Sequence, residues 1–128
     1  MRSAADDIVS DIMAKWAAAF STLDADGLAS LYSGHALFFG SNPKLYRGRD
    51  GVRSYFQGLP RWRISAVQFS DVVAEQAGPD LVNTAGTASF DADEGAVKIS
   101  VKITWVIARE DGNWKIVSHH VSSKAPLI

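Results

Sequence analysis

Residues 97–123, VKISVKITWVIAREDGNWKIVSHHVSS, constrain this chain more than any other stretch. Two long runs of β-branched and aromatic residues flank Asp111-Gly112, where a hairpin needs a residue at positive φ that Gly supplies without steric cost. The stretch predicts two paired antiparallel strands. Successive strand residues point to opposite faces, so the neighbours His119 and His120 must look different ways.

Turn length decides which way. A three-residue loop Glu110-Asp111-Gly112 pairs Lys102 with His120 and Thr104 with Ser118. Ser100, Lys102, Thr104, Ser118, His120 and Ser122 then share one face. Ile99, Val101, Ile103, Trp105, Ile107, Val117, His119 and Val121 share the other, which is apolar except for His119. A two-residue Asp111-Gly112 turn shifts the register by one and mixes the sets. The clean separation favours the longer loop, with His119 facing inward.

The front half is helical. Ser3-Ala4-Ala5-Asp6 resembles a capping box with Asp in place of the usual Glu. Ile8, Val9, Ile12, Trp16, Phe20 and Leu23 then recur at three- and four-residue steps, predicting one apolar face of a helix over 4–22. Asp24-Ala25-Asp26-Gly27 breaks it, and Asp26 is expected to cap a short second helix carrying Leu28, Leu31 and Tyr32. Gly34 ends that helix, and His35 to Phe39 reads as a short strand. Gly40-Ser41-Asn42-Pro43 signals a loop. Asp50 is expected to cap a third helix through Val52, Tyr55, Phe56 and Leu59, stopped by Pro60. Strands follow near 62–75, 81–91, 96–109 and 114–122. Helices first and antiparallel strands after make an α+β pattern, and 128 residues make one domain, 1–128.

Composition excludes several classes. A formal net charge of −1 without a block of like charges argues against nucleic acid or an anionic membrane as partner. With no cysteine there is no disulfide, thiolate nucleophile or cysteine-ligated zinc. The N-terminus carries acids where a signal peptide needs an apolar core, and no apolar run reaches the ~20 residues of a membrane span. A cytoplasmic location is the expectation.

Three pieces in order, DADGLASLY, RGRDGV and the closing DGNWKIVSHHVS, resemble the nuclear transport factor 2-like superfamily of cystatin-like fold. Within it, the patterns are similar to the SnoaL-like and ketosteroid isomerase-like small proteins and to the association domain of calcium/calmodulin-dependent kinase type II. The resemblance covers nearly the whole chain. It implies a cone: a curved antiparallel sheet wrapped around a long N-terminal helix, two shorter helices, and a pocket at the open end. It also implies homodimers through the sheet face, which would put Lys102, Thr104, His120 and Ser122 at the interface.

The chemistry of these relatives does not carry over. Steroid isomerisation needs a carboxylate base and an oxyanion hole of a tyrosine and a protonated aspartate. At the matching positions stand Gly40, Trp16, and Thr104 or Trp105. The arginines of the kinase association pocket become Trp105 and Val121, while the closing H-x-S survives as His120 and Ser122.

What remains is aromatic. Phe38 and Phe56 belong to the same set, each read first as packing. Trp16, Phe20, Phe39, Tyr55, Trp62, Trp105 and Val121 are candidates to line an apolar pocket for a small hydrophobic molecule. If the protein is an enzyme, cofactor-free acid–base chemistry of isomerase, hydrolase or cyclase type is expected, with His119 as the acid–base group and Trp16 and Tyr55 orienting the substrate. The alternative is a non-catalytic homodimerisation module with a vestigial pocket. No metal is expected: His119 and His120 diverge, His35 stands apart, and no cluster has ligand spacing. Asp24-Ala25-Asp26 begins like a calcium loop but lacks its later glycine and glutamate. Arg47, Arg49, Arg61 and Arg63 read as surface residues.

Overall fold

Ser3 caps the first helix as its side chain implies: Ser3 Oγ accepts from Asp6 N at 3.1 Å and the Asp6 carboxylate accepts from Ser3 N at 3.0 Å. The computed structural model describes residues 2–59, 64–92 and 96–128, and in it this helix, α1, spans Ala4–Ser21. Its buried stripe is Ala5, Val9, Ile12, Met13, Trp16 and Phe20, and it packs on a six-stranded sheet. Burying each of the larger side chains contributes roughly 1.5–3 kcal/mol.

The elements that follow are α2 (Ala25–Ala29), β1 (Tyr32–Phe39), β2 (Leu45–Arg47), α3 (Gly48–Gln57), β3 (Ile64–Gly78), β4 (Leu81–Ala92), β5 (Val97–Glu110) and β6 (Asn113–Ser123). The sheet runs β2-β1-β6-β5-β4-β3, curved and unclosed. The α+β class holds, but the sheet is mixed rather than antiparallel throughout: β1 runs parallel to β6. Among the described residues no helix is long and apolar enough to cross a membrane.

Several local expectations are corrected. Asp24, not Asp26, caps α2, its carboxylate accepting from Gly27 N at 3.0 Å. Asp26 lies in the first turn and pairs with Arg53 at 2.6 Å. Tyr32 begins a strand instead of ending a helix, and Gly34 lies within that strand. Asp50 is not a cap. Gly48, at φ 67°, turns the chain from β2 into α3 one residue after Arg47, which offers no side-chain cap. Pro60, Arg61, Trp62 and Arg63 lie outside the described residues, and so does the start of β3 as read from the sequence.

The terminal hairpin differs in an instructive way. Its turn has two residues, Asp111 at φ 51° and Gly112 at φ 79°, and Glu110 pairs with Asn113. That turn alone would point Ser118 inward and His119 outward. A bulge corrects it: Val106 pairs with Ser118 and Ile107 with Ile116, leaving Val117 as an extra residue. Beyond it Trp105 pairs with His119, Thr104 with His120 and Lys102 with Ser122. The predicted pairs Lys102–His120 and Thr104–Ser118 are two residues out, yet the two faces sort as expected, except that Ile116 and not Val117 is fully buried.

Candidate functional site

α1 crosses the inner face of the sheet, and its Trp16 ring meets rings from every later strand: Phe69 on β3, Phe90 on β4, Trp105 on β5 and His119 on β6, at centroid distances of 5.8, 6.4, 6.4 and 6.4 Å. Phe20 stacks on Trp16 at 5.0 Å. Toward the end of α3 this packing opens into a cavity of about 300 Å³. Trp16 and Phe20 of α1, Phe38 and Ser41 around the end of β1, and Tyr55, Phe56 and Leu59 at α3 form one side. Phe69, Ala88, Phe90, Ile99, Val101, Ile103, Trp105, His119 and Val121 of the sheet form the other. Two other hollows, of about 410 and 390 Å³, are larger, but each has charged side chains such as Arg2, Asp6, Asp7 and Lys15 in its lining. Among the described residues the aromatic cavity has none.

Of the residues singled out in the sequence, Trp16, Phe20, Tyr55, Trp105, His119 and Val121 lie in this lining. Phe39 does not. Strand alternation puts Phe38 inside, 1% exposed, and Phe39 outside, 39% exposed and 5.6 Å from the ring of His120. Trp62 lies outside the described residues. Lys102, Thr104 and His120 are exposed on the outer face, with Ser122 half-buried beside them. His119 and His120 therefore point apart, and among the described residues no three side chains capable of binding a metal gather anywhere.

The polar centre is a residue the sequence reading passed over. Tyr32, fully buried, accepts a hydrogen bond from Trp16 Nε1 at 3.0 Å and lies 2.7 Å from Nδ1 of His119. Its oxygen serves Trp16, so its single proton goes to Nδ1. The opposite arrangement, with Nδ1–H donating, would strand the tyrosine proton in the core at roughly 1–3 kcal/mol. His119 is thus a neutral imidazole carrying its proton on Nε2. Burial, reinforced by the neighbouring charge of His120, lowers the His119 pKa from 6.5 to about 3, and burial pushes the Tyr32 hydroxyl upward. Such a histidine is a poor base near neutrality and a competent hydrogen-bond donor.

A second polar pair sits nearer the opening. Tyr55 Oη accepts from Ser41 N at 2.8 Å and lies 2.8 Å from Ser41 Oγ. Gly40, where the isomerase base would fall, is pressed by rings: a Cβ there would lie 2.6 Å from Phe38 Cε1 and closer still to the Tyr55 ring. Packing demands glycine at this position. Trp105 Nε1 is buried with no hydrogen-bond partner among the described residues.

A family model described as SnoaL-like domain matches residues 9–126. No curated protein matches. Among solved structures, an NTF2-like protein of unknown function from Pseudomonas putida superposes with a TM-score of 0.83 at 17% identity, covering 99% of this chain and 92% of that one. A domain of unknown function with a cystatin-like fold from Nostoc punctiforme gives 0.83 at 13% identity, covering 99% and 82%. A structure provisionally described as a calcium/calmodulin dependent protein kinase II association domain, from Xanthomonas campestris, gives 0.81 at 19% identity, covering 99% and 91%. At these identities the likeness is one of fold.

Proposed function

The chain belongs to the SnoaL-like domain family, and on that premise we propose that it binds a small hydrophobic molecule in the aromatic cavity. The observation that carries this reading is the cavity's lining: about 300 Å³ bordered almost wholly by aromatic and aliphatic side chains, with His119, Ser41, Tyr55 and the unpartnered Nε1 of Trp105 as the polar groups among the described residues. Ligand sites commonly have this character, and the volume stands at the small end of their range. The reading needs no cofactor. It gives His119 the part of a ligand anchor rather than a general base, because a neutral ring already receiving the Tyr32 proton accepts another poorly.

Titration with fluorene, a flat uncharged hydrocarbon, tests it through the tryptophan fluorescence of the protein. Saturable binding at one site is expected. Ala88, 1% exposed and in the lining, is replaced by phenylalanine to fill the space. Loss of binding in a folded Ala88→Phe variant supports the reading; binding unaffected by the filling counts against it.

A second activity, homodimerisation, is supported by the outer face of the sheet. Leu45, Phe39, His120, Thr104, Ala85 and Val73 form one row of cross-strand partners spanning all six strands. Leu45, Phe39 and Val73 are exposed at 40%, 39% and 59%, with Leu37 at 48% in the adjoining row. Exposed apolar side chains at both ends of a row whose centre is the polar pair Thr104 and His120 fit a second copy of the chain better than water. The lack of cysteine and the balanced charge support a cytoplasmic setting without a nucleic-acid partner.

A further inference from the structure

Resting on the binding role proposed above, we infer that the cavity selects uncharged aromatic or alicyclic molecules carrying a hydrogen-bond acceptor, such as ketones or quinones, and that the Nε2–H of His119 is the donor that recognises the acceptor. Tyr32 is the positioning residue that keeps the proton on that nitrogen.

Three observations support this. The first is direction. Nδ1 of His119 is turned to Tyr32, which is not part of the cavity lining, whereas the His119 ring is. Nε2 lies on the ring edge away from that bond; among the described residues it has no hydrogen-bond partner, and it is not among the fully buried unpartnered atoms, so it is the ring nitrogen left free for a ligand. Trp16 fixes the direction of the Tyr32 proton and Tyr32 fixes the tautomer of the imidazole, so the donor is set before any ligand arrives.

The second is proton count. Tyr55 and Ser41 carry two hydroxyl protons between them. One is used in their mutual bond, and the Ser41 amide fills a lone pair of the Tyr55 oxygen. One O–H is left to donate. The Phe38 ring touches both groups, 4.4 Å from the imidazole and 4.8 Å from the Tyr55 ring, so the two donors border one aromatic patch. A flat molecule packed on Phe38 meets donors and, among the described residues, no charged partner.

The third is charge. Among the described residues no Asp, Glu, Lys or Arg is in the lining. An ion packed against these residues would lose water without finding a counter-charge among them, which disfavours carboxylates and amines alike.

The test compares three probes of one skeleton: fluorene, fluorenone and fluorene carboxylate. Fluorenone is expected to bind about ten-fold more tightly than fluorene, and the carboxylate not to compete. Tyr32→Phe is expected to keep its affinity for fluorene and lose the preference for fluorenone, because the ring nitrogens are then free to exchange tautomers. Nitrogen NMR of the unmodified protein should show the Nε2–H form. Equal affinity for fluorene and fluorenone overturns the inference while leaving the hydrophobic cavity standing; failure of both to bind overturns both readings. A preference retained in folded Tyr32→Phe, or an Nδ1–H signal in the unmodified protein should that variant not fold, overturns the role given to Tyr32.

Discussion

Tyr32 and His119 lie 87 positions apart in the chain and share a buried hydrogen bond of 2.7 Å. The same hydroxyl satisfies Trp16 Nε1 at 3.0 Å, so one oxygen keeps two buried nitrogens from being orphaned. Tyr32→Phe removes it and leaves both without a partner. Urea denaturation should show a loss of roughly 1–3 kcal/mol. Tyr46→Phe, which breaks only the contact with Asn42 near the surface, should cost less. Equal losses would mean that the buried chain contributes little beyond packing.

Acid should weaken the fold through His119. Its pKa falls from 6.5 to about 3 on folding, with burial the main cause. Between those values the unfolded chain holds the proton and the folded one does not. The contribution is whole above pH 6.5 and drains away as pH drops toward 3, by up to ~1.4 kcal/mol per pH unit. Denaturation series across this window should give a steeper fall for the unmodified protein than for His119→Phe. Parallel slopes would assign the acid sensitivity to other groups.

Gly40→Ala places a methyl group among the Phe38 and Tyr55 rings. Overpacking of this kind costs typically ~1–3 kcal/mol. The expected result is a lower melting temperature together with weaker fluorene binding, because the Tyr55 ring can relieve the clash only by moving in the cavity wall. A variant as stable as the parent would mean that the wall is looser than its packing implies.

Phe39→Asp places a carboxylate among the exposed apolar side chains of the outer face, beside Leu45 and Leu37, without touching the cavity. If the outer face joins two copies, light scattering should find dimers in the parent and monomers in the variant, with fluorene binding retained. A monomeric parent at micromolar concentration would remove the basis for this interface.

How much of this was legible in the sequence varied with the range of the interactions involved. The helix over Ala4–Ser21 is written in local spacing and a local cap, and the sequence reading found both. The alternation of β5 is local too, and it placed Ile103, Trp105 and Ile107 correctly. The bulge at Val117 is not local: it depends on how β6 lies on β5, and nothing in WKIVSHH marks which residue is skipped. Tyr32 was misplaced for the same reason. Leu28, Leu31 and Tyr32 sit at helical spacing before a glycine, but pairing with β6 recruits Tyr32 into a strand. Asp24 and Asp26 were equally good caps on paper, and only the helix start separates them.

The parallel pairing of β1 with β6 also has a consequence in time. Every other strand pair joins neighbours in sequence, whereas β1 must wait for residues 113–123 before its second edge is filled. Closing so long a loop is slow compared with forming a hairpin. During synthesis, α1 and the β1–β2 hairpin emerge early with Trp16 and Tyr32, and β6 brings His119, the other partner of the Tyr32 hydroxyl, last. Completion of the sheet and completion of the polar centre are then one kinetic event, and the rate at which Trp16 fluorescence reaches its final value would clock both.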